Sequence, residues 1–223
     1  MKKLRSLLTL ALLAATAALA QDPAAGDTNL SAGESLANYN QAIELRTDDI
    51  LKLLPLTDAA KRGRVHDVIV TQYHQLKAWH SANDAKLKSV GKDTNAVAEI
   101  RATLKTIHND YLAKLSAELT PAQVDIVKDK MVYNKVQVTY NAYCSIIPVL
   151  TDVQKAHILA VLQEAREEAM DGGSVNEKSA IFKKYKGRIA NYLAKEGINE
   201  TQFRKAWFQK YQAQKGTNAA PAQ

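Results

Sequence analysis

Val136-Gln137-Val138-Thr139-Tyr140 alternates apolar and polar residues like a half-buried strand, and its reading decides the fold class. Widened by a few residues on each side, the same stretch places Val132, Val136, Tyr140, Tyr143 and Ile147 at intervals of three and four, the spacing of one helix face. A lone strand would also lack a partner, because the apolar residues elsewhere recur at helical spacing. The helix reading wins. The chain is all-α, an antiparallel helical bundle of about six or seven helices.

Outward from that stretch the helical pattern repeats. Leu36, Tyr39, Ile43, Ile50, Leu51 and Leu54 form a first apolar face that ends at Pro55. A second helix opens at Thr57, carries Val65, Val68, Ile69, Tyr73, Leu76, Trp79 and Leu87, and stops at Gly91. Val97, Ile100, Leu104, Ile107, Tyr111, Leu112 and Leu115 mark a third. The fourth starts at Thr120 and runs to about Pro148, with room for an interruption. A fifth starts at Thr151 and ends before Gly172-Gly173. The sixth covers about 175–195 and stops at Gly197. The last begins near Asn199 and holds Phe203, Trp207, Phe208 and Tyr211.

Three of these helices open on a common word: Leu56-Thr57-Asp58-Ala59-Ala60, Leu119-Thr120-Pro121-Ala122-Gln123 and Leu150-Thr151-Asp152-Val153-Gln154. Thr57, Thr120 and Thr151 are read as N-caps, whose hydroxyls accept from an otherwise unpaired N–H of the first turn. Gln123 and Gln154, three residues on, reach back to close capping boxes. Pro121 stands at the first helical position, where a missing N–H costs nothing. Leu-Thr-x-x-Gln, present twice, resembles the motif of the small periplasmic stress chaperones of the Spy and CpxP type. That resemblance implies an exported helical protein that holds unfolded clients.

A broader resemblance covers residues 50–195. It rests on Leu56–Lys61, on Ala113–Thr120, and on Val138–Tyr143 with Ile147-Pro148. Glu164–Glu167, Ala169–Asp171 and Lys184–Ile189 also carry it. These stretches are similar to a domain-of-unknown-function family of exported helical proteins common in Bacteroidota. It implies an exported helical domain, some of whose members lie near polysaccharide-degradation functions, and it supplies no catalytic residues.

The N-terminus fits export. Lys2, Lys3 and Arg5 precede a mostly apolar Leu7–Leu19 run, and Ala18-Leu19-Ala20 offers small residues where a signal peptidase cuts. The run is short for a membrane span of about 20 residues, and Gln21-Asp22-Pro23 follows at once. The expected organisation is a signal peptide at 1–20, a flexible leader at 21–33, a helical domain at 34–213 and a flexible tail at 214–223. The expected location is periplasmic or secreted. Removal of the signal peptide cuts the formal charge from +7 to about +4. That mild excess lacks the dense basic patch that nucleic-acid binding requires. No later segment is long and apolar enough for a stable membrane span. Cys144, the single cysteine, has no partner within the chain and sits in an apolar run, where it reads as a small core residue.

Reaction motifs are missing. Glu-x-x-His, His-Glu-x-x-His and Gly-x-Ser-x-Gly do not occur. Asp171-Gly172-Gly173-Ser174 stops a helix and lacks the Lys-Ser/Thr ending of a phosphate loop. Neither a cofactor nor a metal is expected. His66 and His80 share a helix side but stand about 21 Å apart along its axis, so one metal cannot join them. His80 and Asp84, at i and i+4, meet locally as a hydrogen-bonded pair on the helix surface. Glu164, Glu167, Glu168 and Asp171 read as a solvated acidic face beside Arg166.

Aromatic faces with polar edges suit carbohydrate. Tyr73, Trp79, Tyr133, Tyr140 and Tyr143 are the aromatic residues considered for such a surface. Lys183-Lys184-Tyr185-Lys186-Gly187-Arg188 is the densest basic stretch and suits an acidic glycan. Candidate ligand-binding residues are Tyr140, Tyr143, Arg166, Arg188, His80 and Asp84. The functional expectation is a non-enzymatic binding or chaperone-like envelope protein, whose partners are unfolded proteins, an acidic glycan or a second copy of itself. The alternative is an accessory protein or enzyme of polysaccharide breakdown.

Overall fold

The computed structural model describes residues 32–217. The expected signal peptide, most of the expected leader and the tail beyond Thr217 lie outside them, whereas α1 begins at Ala32, inside the expected leader, and α8 runs to Thr217, into the expected tail. Eight helices, and no strand among the described residues, form the domain. They are α1 (Ala32–Leu51), α2 (Ala59–Val90), α3 (Thr94–Glu118), α4 (Pro121–Met131), α5 (Lys135–Ile146), α6 (Asp152–Met170), α7 (Val175–Lys195) and α8 (Glu200–Thr217). The count exceeds the expected six or seven because the fourth helix is two, split at Val132–Asn134.

That split has a local cause. Asn134 N–H donates to the Asp129 carbonyl at 2.8 Å and Tyr133 N–H to Lys130 at 3.0 Å. This is the Schellman closure of a helix C-terminus. The residue after the cap must adopt φ > 0, a place that glycine usually takes. Here it is Tyr133 (φ 58°), followed by Asn134 (φ 55°). The strand-like stretch 136–140 is helical, inside α5.

The capping boxes form at Thr120–Gln123 and at Thr151–Gln154. The third copy differs. Asp58, not Thr57, caps α2, its carboxylate accepting from Ala60 N–H at 2.8 Å. Three positions after Thr57 stands Ala60, which cannot reach back to complete a box. The cap therefore moves one residue on, where an ionised group meets the positive end of the helix dipole.

The helices pack in two antiparallel groups. In one, α2 lies along α3 and carries α1; in the other, α6 lies along α7 and against α5, with α8 resting on α5 and α7. Two ties fix the α2/α3 register: Arg64 forks onto Glu118 at 2.7 and 2.9 Å, and Trp79 Nε1 donates to Thr103 at 2.9 Å. Lys184–Glu168 and Arg188–Glu164 do the same for α6 and α7. The short α4 touches α1, α3 and α6 and joins the groups over one core that runs from Tyr39 to Leu193.

Candidate functional site

A cleft of about 360 Å³ opens where the two groups meet. That volume is toward the lower end for small-molecule sites. One wall is a single face of α2, on which Tyr73, Leu76, Lys77, His80, Ser81 and Asp84 recur at helical spacing over about 16 Å. Tyr39 and Arg46 of α1 stand beside it, Tyr133 comes from the α4–α5 break, and Gly172–Ser174 with Glu177 and Lys178 close the far side.

Each side chain has a definite support. The Tyr39 hydroxyl donates to the Tyr73 carbonyl at 2.8 Å. Lys77 Nζ lies 3.9 Å from the centroid of the Tyr39 ring, and Arg46 Cζ 5.8 Å from that of Tyr133. Lys178 is buried, and its ammonium donates to the carbonyls of Met131 and Met170, the last residues of α4 and α6. Burial pushes the Tyr73 phenol far above its usual range, so it remains protonated.

His80 is buried at 7% exposure, a correction to its reading as half of a surface pair; Asp84 is the exposed member. The ring's Nε2 donates to the Asp171 carbonyl at 2.7 Å, and Nδ1 faces Asp84 at 2.9 Å and Glu177 at 3.8 Å. The α6–α7 loop crosses directly over the ring. A Cβ on Gly173 would stand 2.6 Å from His80 Cγ, so only glycine fits this approach. The Gly173 N–H donates to Glu177 at 2.9 Å. On the loop's other side the Asp171 carboxylate meets His108 Nδ1 at 3.1 Å, and this bond raises the His108 pKa against the pull of burial.

The other candidate residues do not join the cleft. Tyr140 is half-buried on α5, where Cys144, one turn on, raises its phenol pKa, and Cys144 is itself half-buried rather than in the core. Tyr143 is buried under α8, and burial beside Glu200 lifts its phenol to about 12. Arg166 is buried rather than part of a solvated face, and it binds Asp125 at 2.7 Å, Asp129 at 2.8 Å and Glu167 at 3.2 Å. Arg188 pairs with Glu164 at 2.7 Å and lies over the Tyr185 ring. Trp79 faces α3 instead of the cleft. Of the aromatic residues considered for a sugar surface, Tyr73 and Tyr133 line it.

Tyr39, Arg46, Lys77, Gly173, Glu177 and Lys178 are not among the candidate binding residues of the sequence, which reads Tyr39 as part of an apolar helix face and Gly173 as part of a helix stop. One signal existed for two of them: Arg46 interrupts the apolar face Tyr39–Ile43–Ile50, and Lys178 precedes Phe182, Tyr185 and Ile189 on one face of α7. A charged residue in an apolar stripe marks a site or a buried tie. Among the described residues no three His, Cys, Asp or Glu side chains converge to hold a metal, and no helix is long and apolar enough to cross a membrane.

A family model described as a protein of unknown function, DUF3826, matches residues 40–213, the span that builds every wall of this cleft except the Tyr39 corner. The chain belongs to the DUF3826 family. No curated protein matches it. Arg46, Lys77, Tyr133 and Gly173 thus all lie inside the matched span.

Proposed function

We propose that this domain is a non-enzymatic binding protein of the cell envelope that takes a carbohydrate-class ligand in the cleft between its two helical groups. Envelope location rests on the export pattern of residues 1–20. The observation that carries the ligand reading is Tyr133. A tyrosine at the left-handed position of a Schellman closure costs on the order of 1–3 kcal/mol compared with relaxed backbone. That strain puts its ring on the cleft wall. Strain kept at a concave, tyrosine- and charge-lined surface supports a role in binding. The mixed polar and aromatic lining suits a hydroxyl-rich molecule better than an apolar one.

The test is a thermal-shift panel of neutral and acidic oligosaccharides. A ligand at 100 times its dissociation constant adds about 2.7 kcal/mol, a rise of roughly 5–11 °C for a chain of this size. Tyr133→Gly relieves the backbone and removes the ring. Its melting temperature is expected to equal or exceed the wild type's, while the ligand shift disappears. A flat panel sinks the proposal.

A second reading, chaperone-like holding of unfolded chains, is favoured by an apolar groove beside α8. Ile146, Trp207 and Phe208 line it, and Phe208 is 56% exposed. Suppression of client aggregation by the wild type, and its loss in Phe208→Ser, would support that reading over the cleft.

A further inference from the structure

The last helix carries charge and apolar surface that the cleft does not use, and from it we infer that the protein docks through α8 on an anionic lipid surface. The inference stands apart from the carbohydrate reading of the cleft. Residues 201–217 hold Arg204, Lys205, Lys210 and Lys215 and no acid. Phe203, Trp207, Phe208 and Tyr211 are interleaved with them. Phe203 packs against the core, and the Trp207 and Tyr211 rings stack at 5.3 Å between centroids. Phe208 is left exposed beside a groove whose other lining residues are Ile146, Arg204, Lys205 and Trp207, with no carboxylate among them. Arg204 is engaged by Glu200 and lies over the Tyr143 ring. Lys205 and Lys210 are exposed and pair with no acid among the described residues.

A bilayer surface matches both halves of this arrangement. Cations on an amphipathic helix are drawn to anionic headgroups, and an exposed phenylalanine enters the acyl boundary just beneath them. Tryptophan and tyrosine favour the level between the two. An acidic glycan would answer the lysines and leave Phe208 in water. An unfolded apolar chain would cover Phe208 and gain nothing from the lysines. Lys205 precedes Phe208 by three positions and shares its side of the helix. Lys210 lies toward the opposite side, but a helix is only about 10–12 Å across, close to the distance of about 10 Å over which charges act at 0.1 M salt.

Vesicles of phosphatidylcholine, with and without phosphatidylglycerol, test this through the emission of Trp207. The readout is local to α8, because the other tryptophan, Trp79, is buried and bonded to Thr103 between α2 and α3. Anionic vesicles are expected to shift the emission to shorter wavelength, and Trp207→Phe to lose that shift. Each lysine near an anionic surface strengthens binding about fivefold, so affinity for anionic vesicles should exceed that for neutral ones by on the order of tenfold and fall as salt rises. Lys205→Gln should weaken binding about fivefold and the double variant with Lys210→Gln weaken it further, at unchanged melting temperature. Phe208→Ser should abolish the shift. Equal affinity for neutral and anionic vesicles overturns the inference, as does anionic binding that survives both the double lysine variant and Phe208→Ser. A shift produced by an unfolded client and not by vesicles overturns it as well and assigns the groove to chaperone-like holding.

Discussion

Arg166 and His80 are both buried basic side chains among acids, and they sit in opposite circumstances. Arg166 reaches across from α6 to Asp125 and Asp129 on α4 and to its neighbour Glu167, and Lys128 answers Glu167 at 2.8 Å. The guanidinium donors meet carboxylates of the protein itself. His80 also meets acids, but its surroundings stop short of closure. One partner is a loop carbonyl, the other is an exposed carboxylate, and a cleft of about 360 Å³ remains beside them. A charged cluster that its own neighbours saturate holds helices together. One arranged around empty space leaves donors and acceptors for something else.

Breaking the first cluster should cost the most. Arg166→Ala removes two of the ties between α4 and α6, leaving Lys128–Glu167, and strips Asp125 and Asp129 of their cation. Because those carboxylates are partly solvated, the loss is about 3 kcal/mol rather than more, or roughly 6–12 °C in melting temperature. Ligand affinity measured below the transition should not change. An equal loss of affinity would show that the two regions are not separable.

Gly173→Ala attacks the second region through sterics. The added methyl must displace the His80 ring or the loop, an overpacking cost of about 2 kcal/mol. Unlike Arg166→Ala, it should weaken the ligand-induced thermal shift as well as stability. A variant that melts lower and still binds normally would remove the loop from the site.

The smallest effect separates the regions by pH. His108 joins them, since Asp171 gives its carboxylate to His108 and its carbonyl to His80. The Asp171 bond raises the His108 pKa above the ordinary 6.5. The stabilisation it adds is complete below the unfolded value and disappears as pH rises through the higher folded value. Melting curves of wild type and His108→Gln should therefore differ more near about pH 5.5 than near about pH 8.5. A gap that is constant with pH would mean that His108 contributes by packing alone.

The helices were legible because burial is periodic, and two of three caps because threonine and glutamine stand at fixed spacing. Thr57 misled because a second cap-forming residue follows it and the box-completing glutamine is absent. The sequence left room for an interruption in the fourth helix but did not place it at Val132–Asn134. No proline or glycine marks it, and Val132, Val136, Tyr143 and Ile147 keep one apolar face on both sides of the interruption. His80 with Asp84 was visible as a local pair. Its third partner was not, because a backbone carbonyl 91 positions away leaves no trace in a residue pattern. Arg46, Lys77, Tyr133 and Glu177 come from separate stretches of chain, and no local pattern joins them. What unites them is the packing of α1, α2 and the loop before α7.

Lys178 ends two helices that are not its own. Its ammonium accepts the role of terminator for α4 and α6 at once, donating to Met131 and Met170 across 47 and 8 positions of chain. Such a tie makes their last turns depend on a third element docking late in the sequence. When α7 lifts away, two carbonyl ends lose their buried donor together. The three helices then open and close as one cooperative unit, and the cleft they border is intact or absent as a whole.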